Sequence, residues 1–210
     1  MNPRSDLRRE MRDQRRALSD AQRARLGECA AACFGRHRLF HSARHVAGYL
    51  PNDGELDPTP LMGLAWSMGK RVYLPVLSHL RSDHLLFAPY APGDALRENR
   101  FGIPEPVVSL RHMIDPKALD LVLTPLVAFD QQGHRLGMGG GFYDRSFAFL
   151  RRRQHWLKPH LVGMAYGFQR VDGLPHQPWD VPLDGVVTET GFTPTGSQKP
   201  LWPEAPHRLP

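Results

Sequence analysis

The stretch Val46-Ala-Gly-Tyr-Leu50, then Pro60-Leu-Met-Gly-Leu-Ala-Trp-Ser-Met-Gly69, then Arg71-Val-Tyr-Leu-Pro-Val76 decides the fold. Two short apolar runs flank a segment of helical pattern that closes on a glycine, which is the signature of a strand, a helix and a second strand lying parallel to the first. Working outward, further short apolar runs occur at Leu85–Tyr90, Leu121–Leu126, Leu161–Tyr166 and Val186–Thr188, with a helical pattern at Phe142–Arg153. Strands interleaved with helices predict an α/β protein, a single three-layer α/β/α domain around a central, mainly parallel sheet.

Upstream, a helix starting near Ser5 or Asp6 places Leu7, Met11 and Leu18 on a narrow apolar stripe among arginines. Most of its surface is therefore expected to meet water or a ligand. A second helix starts at Ser19, where Ser-Asp-Ala-Gln forms a capping box, and runs to Gly35. The basic N-terminal helices thus span 5–35. Segment 91–118, with Pro92, Pro104, Pro106 and Pro116, reads as an irregular excursion. Residues 1–193 form the domain, and 194–210, with five prolines in 17 residues and no periodicity, read as a mobile tail.

The 210 residues carry 27 Lys and Arg against 21 Asp and Glu, a formal charge of +6. Residues 1–44 hold 11 of the basic and 5 of the acidic residues, so the whole excess lies there. Such a segment suits an anionic partner, either the phosphates of a nucleotide or a nucleic acid, or else it is a solvated helical face. No run approaches the roughly 20 apolar residues of a membrane span. The acidic residues Asp6, Glu10 and Asp13 and the missing apolar run argue against a targeting peptide, so a cytoplasmic location is expected. Cys29 and Cys33 are too few for a disulfide framework. With His37 and His41 they form an i, i+4 column about 18 Å long at 1.5 Å per residue, which cannot converge on one ion.

Chemistry concentrates in Arg135-Leu-Gly-Met-Gly-Gly-Gly-Phe-Tyr-Asp144. A loop with Gly137, Gly139, Gly140 and Gly141 can turn several backbone N–H groups toward one anion, and the helix after it adds a positive dipole end. Arg135 suits phosphate oxygens and Asp144 suits a Mg²⁺ that bridges them. The spacing is neither that of the Walker loop nor that of the dinucleotide fingerprint, and a plain tight turn is the alternative. Asp180 and Asp184, four residues apart before the last apolar run, could complete a hard-cation site with Asp144 or be ordinary turn residues. Asn52-Asp53-Gly54-Glu55 follows the first strand, where α/β proteins bind ligands, and Glu55 could accept hydrogen bonds from a polar heterocycle. Arg4 and Arg8 share one helical face and could reach a polyphosphate.

Three blocks, Leu121–Asp130, Gly133–Arg145 and Pro182–Glu189, together with Asp53–Asp57, Gly69–Pro75 and Gly102–Pro106, closely resemble the 5-formyltetrahydrofolate cyclo-ligase family, up to about residue 190. The resemblance implies a ligase of one-carbon folate chemistry that converts 5-formyltetrahydrofolate to 5,10-methenyltetrahydrofolate with MgATP as co-substrate. ATP would phosphorylate the formyl oxygen, and folate N10 would then attack the activated carbon and expel phosphate. The nucleophile belongs to the substrate, so no catalytic residue is assigned and the protein's part is positioning and charge stabilisation. Matched position by position, Arg4, Arg8, Arg135, Leu136, Gly137, Met138, Gly139, Gly140, Gly141, Phe142 and Tyr143 resemble the ATP-binding positions. Asp144 and Asp184 resemble the Mg²⁺ ligands, and Leu50, Glu55 and Met138–Phe142 the folate-binding ones. Arg4 stands where many members carry Lys, which keeps the charge but changes a point donor to a planar fork; Gly140 stands where some members carry Lys, so one phosphate or substrate contact must come from elsewhere, such as Arg135 or Arg145. An inactive relative that binds RNA through its basic helix, or an ATP-dependent activator of another formamide or carboxylate, are the alternatives. Among these readings a membrane has no place and nucleic acid is disfavoured.

Overall fold

The computed structural model describes residues 3–78, 83–152 and 157–195. Its centre is a seven-stranded sheet in the order β11-β10-β9-β6-β1-β2-β3. The strands are β1 (His45–Ala47), β2 (Arg71–Leu77), β3 (Leu85–Pro89), β6 (Leu121–Pro125), β9 (His160–Met164), β10 (Gly185–Thr188) and β11 (Gly191–Pro194). The five inner strands pair parallel, and β3 and β11 close the edges antiparallel. The expected strand-helix-strand unit is present, with β1 and β2 joined through α4 (Thr59–Ser67).

Alternation along each strand builds two cores. Val46, Val72, Leu74, Leu121, Leu123, Val162 and Val187 point to one face, where they meet Ala30, Ala31 and Phe34 of α2 (Asp20–Phe34), Phe40 of α3 (Arg38–Ser42), and Leu61, Met62 and Ala65 of α4. Ala47, Tyr73, Val122, Leu161 and Val186 point to the other, against Phe147 and Leu150. Three layers result, as the sequence predicts.

Helix α2 begins with the expected reciprocal cap: Gln22 N donates to Ser19 Oγ at 3.3 Å and Ser19 N donates to Gln22 Oε1 at 2.8 Å. Such a cap contributes about 1 kcal/mol. Helix α1 (Pro3–Ala17) packs Leu7 and Met11 on Val127, Ala128 and Leu136 of the hairpin β7 (Ala128–Phe129) and β8 (Arg135–Leu136).

The structure departs from the sequence reading in three places. The helix expected over Phe142–Arg153 is broken: α5 covers only Phe142–Ser146, and a 3₁₀ turn follows at Ala148–Arg152. The break turns Phe147 into the core against Phe87, with ring centroids 5.9 Å apart. Segment 91–118 holds an antiparallel ribbon, β4 (Leu96–Glu98) and β5 (Pro104–Pro106), and two 3₁₀ turns. The expected tail starts too early, because Pro194 ends β11 and buried Thr195 donates its hydroxyl to Leu183 O at 2.5 Å. Residues 196–210 lie outside the described residues, as does Arg153.

Candidate active site

Parallel strands end on the same side of the sheet, and the loops after β1 and β6 frame a cleft there of about 230 Å³. Tyr49, Leu50 and Glu55 enter it from the β1–α4 loop, and Pro125 and Leu126 from the end of β6. Gly137–Asp144 form one wall, and Asn99, Phe101, Ile103 and Glu105 of the β4–β5 ribbon form the other. Of the ribbon only Gly102–Pro106 carried a signal in the sequence, as part of the resemblance, and nothing there marked it as a wall of the cleft. The rings of Phe101 and Phe142 meet edge to face at 5.9 Å.

The glycine loop owes its path to backbone that only glycine adopts readily: Gly139 has φ +107° and Gly141 φ +65°. Arg8 Nε donates to Gly137 O at 2.8 Å and so fastens α1 to the loop. Beneath the loop Arg135, 9% exposed, donates to Asp144 Oδ1 at 2.6 Å and to Val181 O. Val181 N also donates to Asp144 Oδ1 at 3.0 Å. Burial lowers the pKa of Arg135, with the Asp144 charge opposing, and burial followed by the Arg4 charge lowers that of Arg8. At Gly140, Arg145 Nη2 donates to Gly140 O at 2.5 Å and its guanidinium lies 5.4 Å over the Phe142 ring. A Cβ at Gly140 would approach Phe142 to 2.8 Å, so the residues at these two positions constrain each other.

Arg135, Gly137–Asp144, Leu50 and Glu55 therefore lie around one cleft. Three other residues stand apart. Leu136 turns away from the cleft, 1% exposed, into the packing with Met11. Arg4 lies on α1 with Nη2 3.6 Å from Asp180 Oδ2, outside the cleft lining. Asp184 is not part of the cleft: it sits where β9 and β10 begin, its side chain 1% exposed, and its Oδ2 accepts from Leu161 N at 2.7 Å. Asp184 is thus held between two strand starts, while Asp144 lies beside the cleft. Asp180 accepts from Gln177 N at 2.9 Å, which is turn chemistry. Among the described residues no three His, Cys, Asp or Glu side chains come together to hold a metal.

The basic N-terminal helix has a use that composition alone could not show. Arg12 Nε, Arg15 Nη2 and Arg16 Nε reach the carboxylate of Asp53 at 2.5, 3.1 and 2.6 Å. Arg15 is fully buried and also donates to Leu126 O at 3.3 Å. Burial alone would raise the Asp53 pKa, but hydrogen bonds from Arg12 and Arg16 and the charges of Arg12 and Arg15 hold it below the usual carboxylate range. Arg9 pairs with Asp6, so the arginines of α1 are largely engaged within the chain rather than displayed to a polyanion. The same network fixes the loop that carries Glu55. Asn52 N donates to Glu55 Oε2 at 3.1 Å, Arg15 Nη1 stands 3.9 Å from Oε1, and the side chain is 12% exposed. Burial pushes its pKa up to about 7, against the Asn52 hydrogen bond and the Arg15 charge, and Asp53 adds to the rise.

The model of the 5-formyltetrahydrofolate cyclo-ligase family matches residues 1–189. The chain belongs to that family. It is 46% identical over 178 residues to the 5-formyltetrahydrofolate cyclo-ligase of Escherichia coli K12, covering 85% of this chain and 96% of that one. It is 42% identical over 147 residues to the enzyme of the same name from Haemophilus influenzae, covering 69% and 75%. The solved structure of Aquifex aeolicus 5,10-methenyltetrahydrofolate synthetase superposes with a TM-score of 0.76 at 32% identity, over 97% of this chain and 98% of that one. The Mycoplasma pneumoniae synthetase shares the fold, with a TM-score of 0.68 at 24% identity over 90% and 99%. The cyclo-ligase chain described here is thus a ligase-type enzyme, and no helix among its described residues is long and apolar enough to cross a membrane.

Proposed function

We propose that this cyclo-ligase closes 5-formyltetrahydrofolate to 5,10-methenyltetrahydrofolate in the Gly137–Asp144 cleft, using ATP and releasing ADP and phosphate. One observation carries the reading. A loop with two left-handed glycines lies between Arg8 on one side and the Arg135–Asp144 pair on the other, and it faces an apolar cleft with a single deeply placed carboxylate, Glu55. That arrangement offers a phosphate cradle beside a pocket for a flat heterocycle.

In the first step the formyl oxygen attacks the terminal phosphorus of ATP; the new P–O bond forms as the bond to ADP breaks. In the second, the substrate's own N10 attacks the activated carbon, and that carbon's bond to the phosphorylated oxygen breaks as phosphate departs. Backbone N–H groups of Gly139–Gly141 and the cations Arg8 and Arg145 bind the polyphosphate, while Leu50, Met138 and Phe142 hold the folate so that N10 faces the carbon. Arg4, four residues before Arg8 on α1, would add its charge at the outer end of the polyphosphate.

Asp144 fits a Mg²⁺ ligand: Arg135 and Val181 N hold its Oδ1, and its Oδ2 would hold the cation. When bound, Mg²⁺ would neutralise charge on the transferred phosphoryl group. Asp184 has no part in this assignment, because its carboxylate is held between β9 and β10. The proposed reaction belongs to the cytoplasm.

The test is thermal stability with each ligand alone. MgATP and 5-formyltetrahydrofolate should each raise the melting temperature, and the folate should do so far more than other formamides at equal concentration. Stabilisation by MgATP with none by the folate would reject the substrate assignment.

A further inference from the structure

The attack by N10 creates a chemical need that no residue has been given. N10 carries a hydrogen, and the methenyl product does not, so a base must take that proton. Resting on the function proposed above, we infer that Glu55 is the proton acceptor of the cyclisation step, a catalytic residue as well as a wall of the folate pocket.

Elimination within the cleft carries the inference. Its described lining contains three carboxylates and no histidine: Glu55, Glu105 and Asp144. Glu105 Oε1 accepts from Leu77 N at 2.9 Å and Asn99 Nδ2 at 2.8 Å, and so serves as the brace of the β4–β5 ribbon. Asp144 is held in its ion pair with Arg135 and placed at the phosphates. Glu55 lines the cleft beside Tyr49, Leu50 and Leu126, and its side chain has one short contact, Asn52 N to Oε2 at 3.1 Å, with Arg15 Nη1 3.9 Å from Oε1.

The groups around Glu55 are compatible with the role. Arg15 comes from α1, Asp53 and Asp57 from its own loop, Tyr49 from the end of β1, Tyr143 from α5, and Tyr166 from the segment after β9, its hydroxyl donating to Glu55 O at 3.3 Å. Burial raises all three tyrosines, Tyr166 to about 12, so none is a base at neutral pH. The shifted Glu55 carboxyl, near 7, is instead matched to accept a proton at physiological pH.

In the step itself the C–N10 bond forms, the N10–H pair collapses onto nitrogen as the proton passes to Glu55, and the C–O bond breaks with its electrons leaving on phosphate. The N5–C–N10 amidinium and a neutral Glu55 acid remain. Because the base must be ionised, turnover rises with pH below 7, about tenfold per pH unit, and levels above it.

The experiment follows a single turnover of wild type and Glu55→Gln, with ADP measured by rapid quench and the methenyl band by stopped flow, from pH 5.5 to 8.5. Wild type should show the limb near pH 7. Glu55→Gln should bind 5-formyltetrahydrofolate within about threefold of wild type, form one equivalent of ADP early, and close the ring at least about 100-fold more slowly with the limb gone. Glu55→Asp should restore the limb. Three results would overturn the inference: a variant that loses folate affinity but cyclises at the wild-type rate when saturated; ADP and methenyl slowing together in step; or a wild-type profile flat across neutrality, which needs no variant to fold. A wild-type protein that makes no methenyl product at any pH removes the proposed function itself, and Glu55's role with it.

Discussion

Replacing Asp53 by Asn tests the link between the basic helix and the folate loop. Asn tolerates the left-handed backbone at position 53, where φ is +52°, so the change removes charge without adding backbone strain. It leaves Arg15, wholly buried, with only the more distant Glu55 carboxylate at 3.9 Å as an ion partner, and halves the acceptors of Arg12 and Arg16. Breaking a buried pair by removing one partner costs about 3–5 kcal/mol, while the two more exposed arginines contribute about 0.2–1 kcal/mol each. Because Asn still offers an oxygen to Arg15, about 3 kcal/mol is the expected loss. For a domain of this size that lowers the melting temperature by roughly 6–12 °C. The sign with pH follows from the direction of the shift. Asp53 is depressed in the folded state, so its contribution is full above the unfolded value of about 3.9 and disappears as pH falls through the lower folded value. Urea denaturation at pH 7 and at steps down to pH 3.5 should therefore show a gap of about 3 kcal/mol that narrows on acidification. A variant within about 0.5 kcal/mol of wild type at pH 7, or a gap that widens in acid, refutes the reasoning.

Asp144→Asn keeps an acceptor for Val181 N and Arg135, so the fold should hold while Mg²⁺-dependent turnover falls about 100-fold or more; near-normal turnover removes Asp144 from the metal site. Asp184→Asn should lower thermal stability by about 1–3 kcal/mol and leave the Mg²⁺ concentration for half-maximal turnover unchanged, whereas a large rise in that concentration would return Asp184 to the cation. Gly139→Val forces a β-branched residue to φ +107° and should weaken ATP binding at least about tenfold by calorimetry; unaltered affinity would show that the loop does not hold the nucleotide.

Local rules made the sheet and the glycine loop readable. Apolar runs of five or six residues mark β1, β2, β6 and β9, and a run of three marks β10, because strands buried on both faces have no polar alternation to hide them. The Ser19–Gln22 box marked α2 for the same reason, its partners being three residues apart. What escaped was decided at long range. Arg15 looks like any other arginine in a basic helix until Asp53, 38 residues away, folds over it. The β4–β5 ribbon is exposed and rich in proline, so nothing in its sequence separates a cleft wall from a loop. Helix α5 stops after Ser146 because Phe147 is drawn into the core by Phe87, which belongs to the far edge of the sheet. The hold of Leu161 N on Asp184 is also invisible in sequence, because a backbone N–H leaves no mark on a pattern of side chains.

The most direct test of the account is the methenyl absorbance band after the full chain is mixed with 5-formyltetrahydrofolate and Mg²⁺, with and without ATP. The account predicts growth of the band only with ATP, with ADP formed one for one. A flat trace from folded protein with ATP present, or equal growth without it, would contradict it.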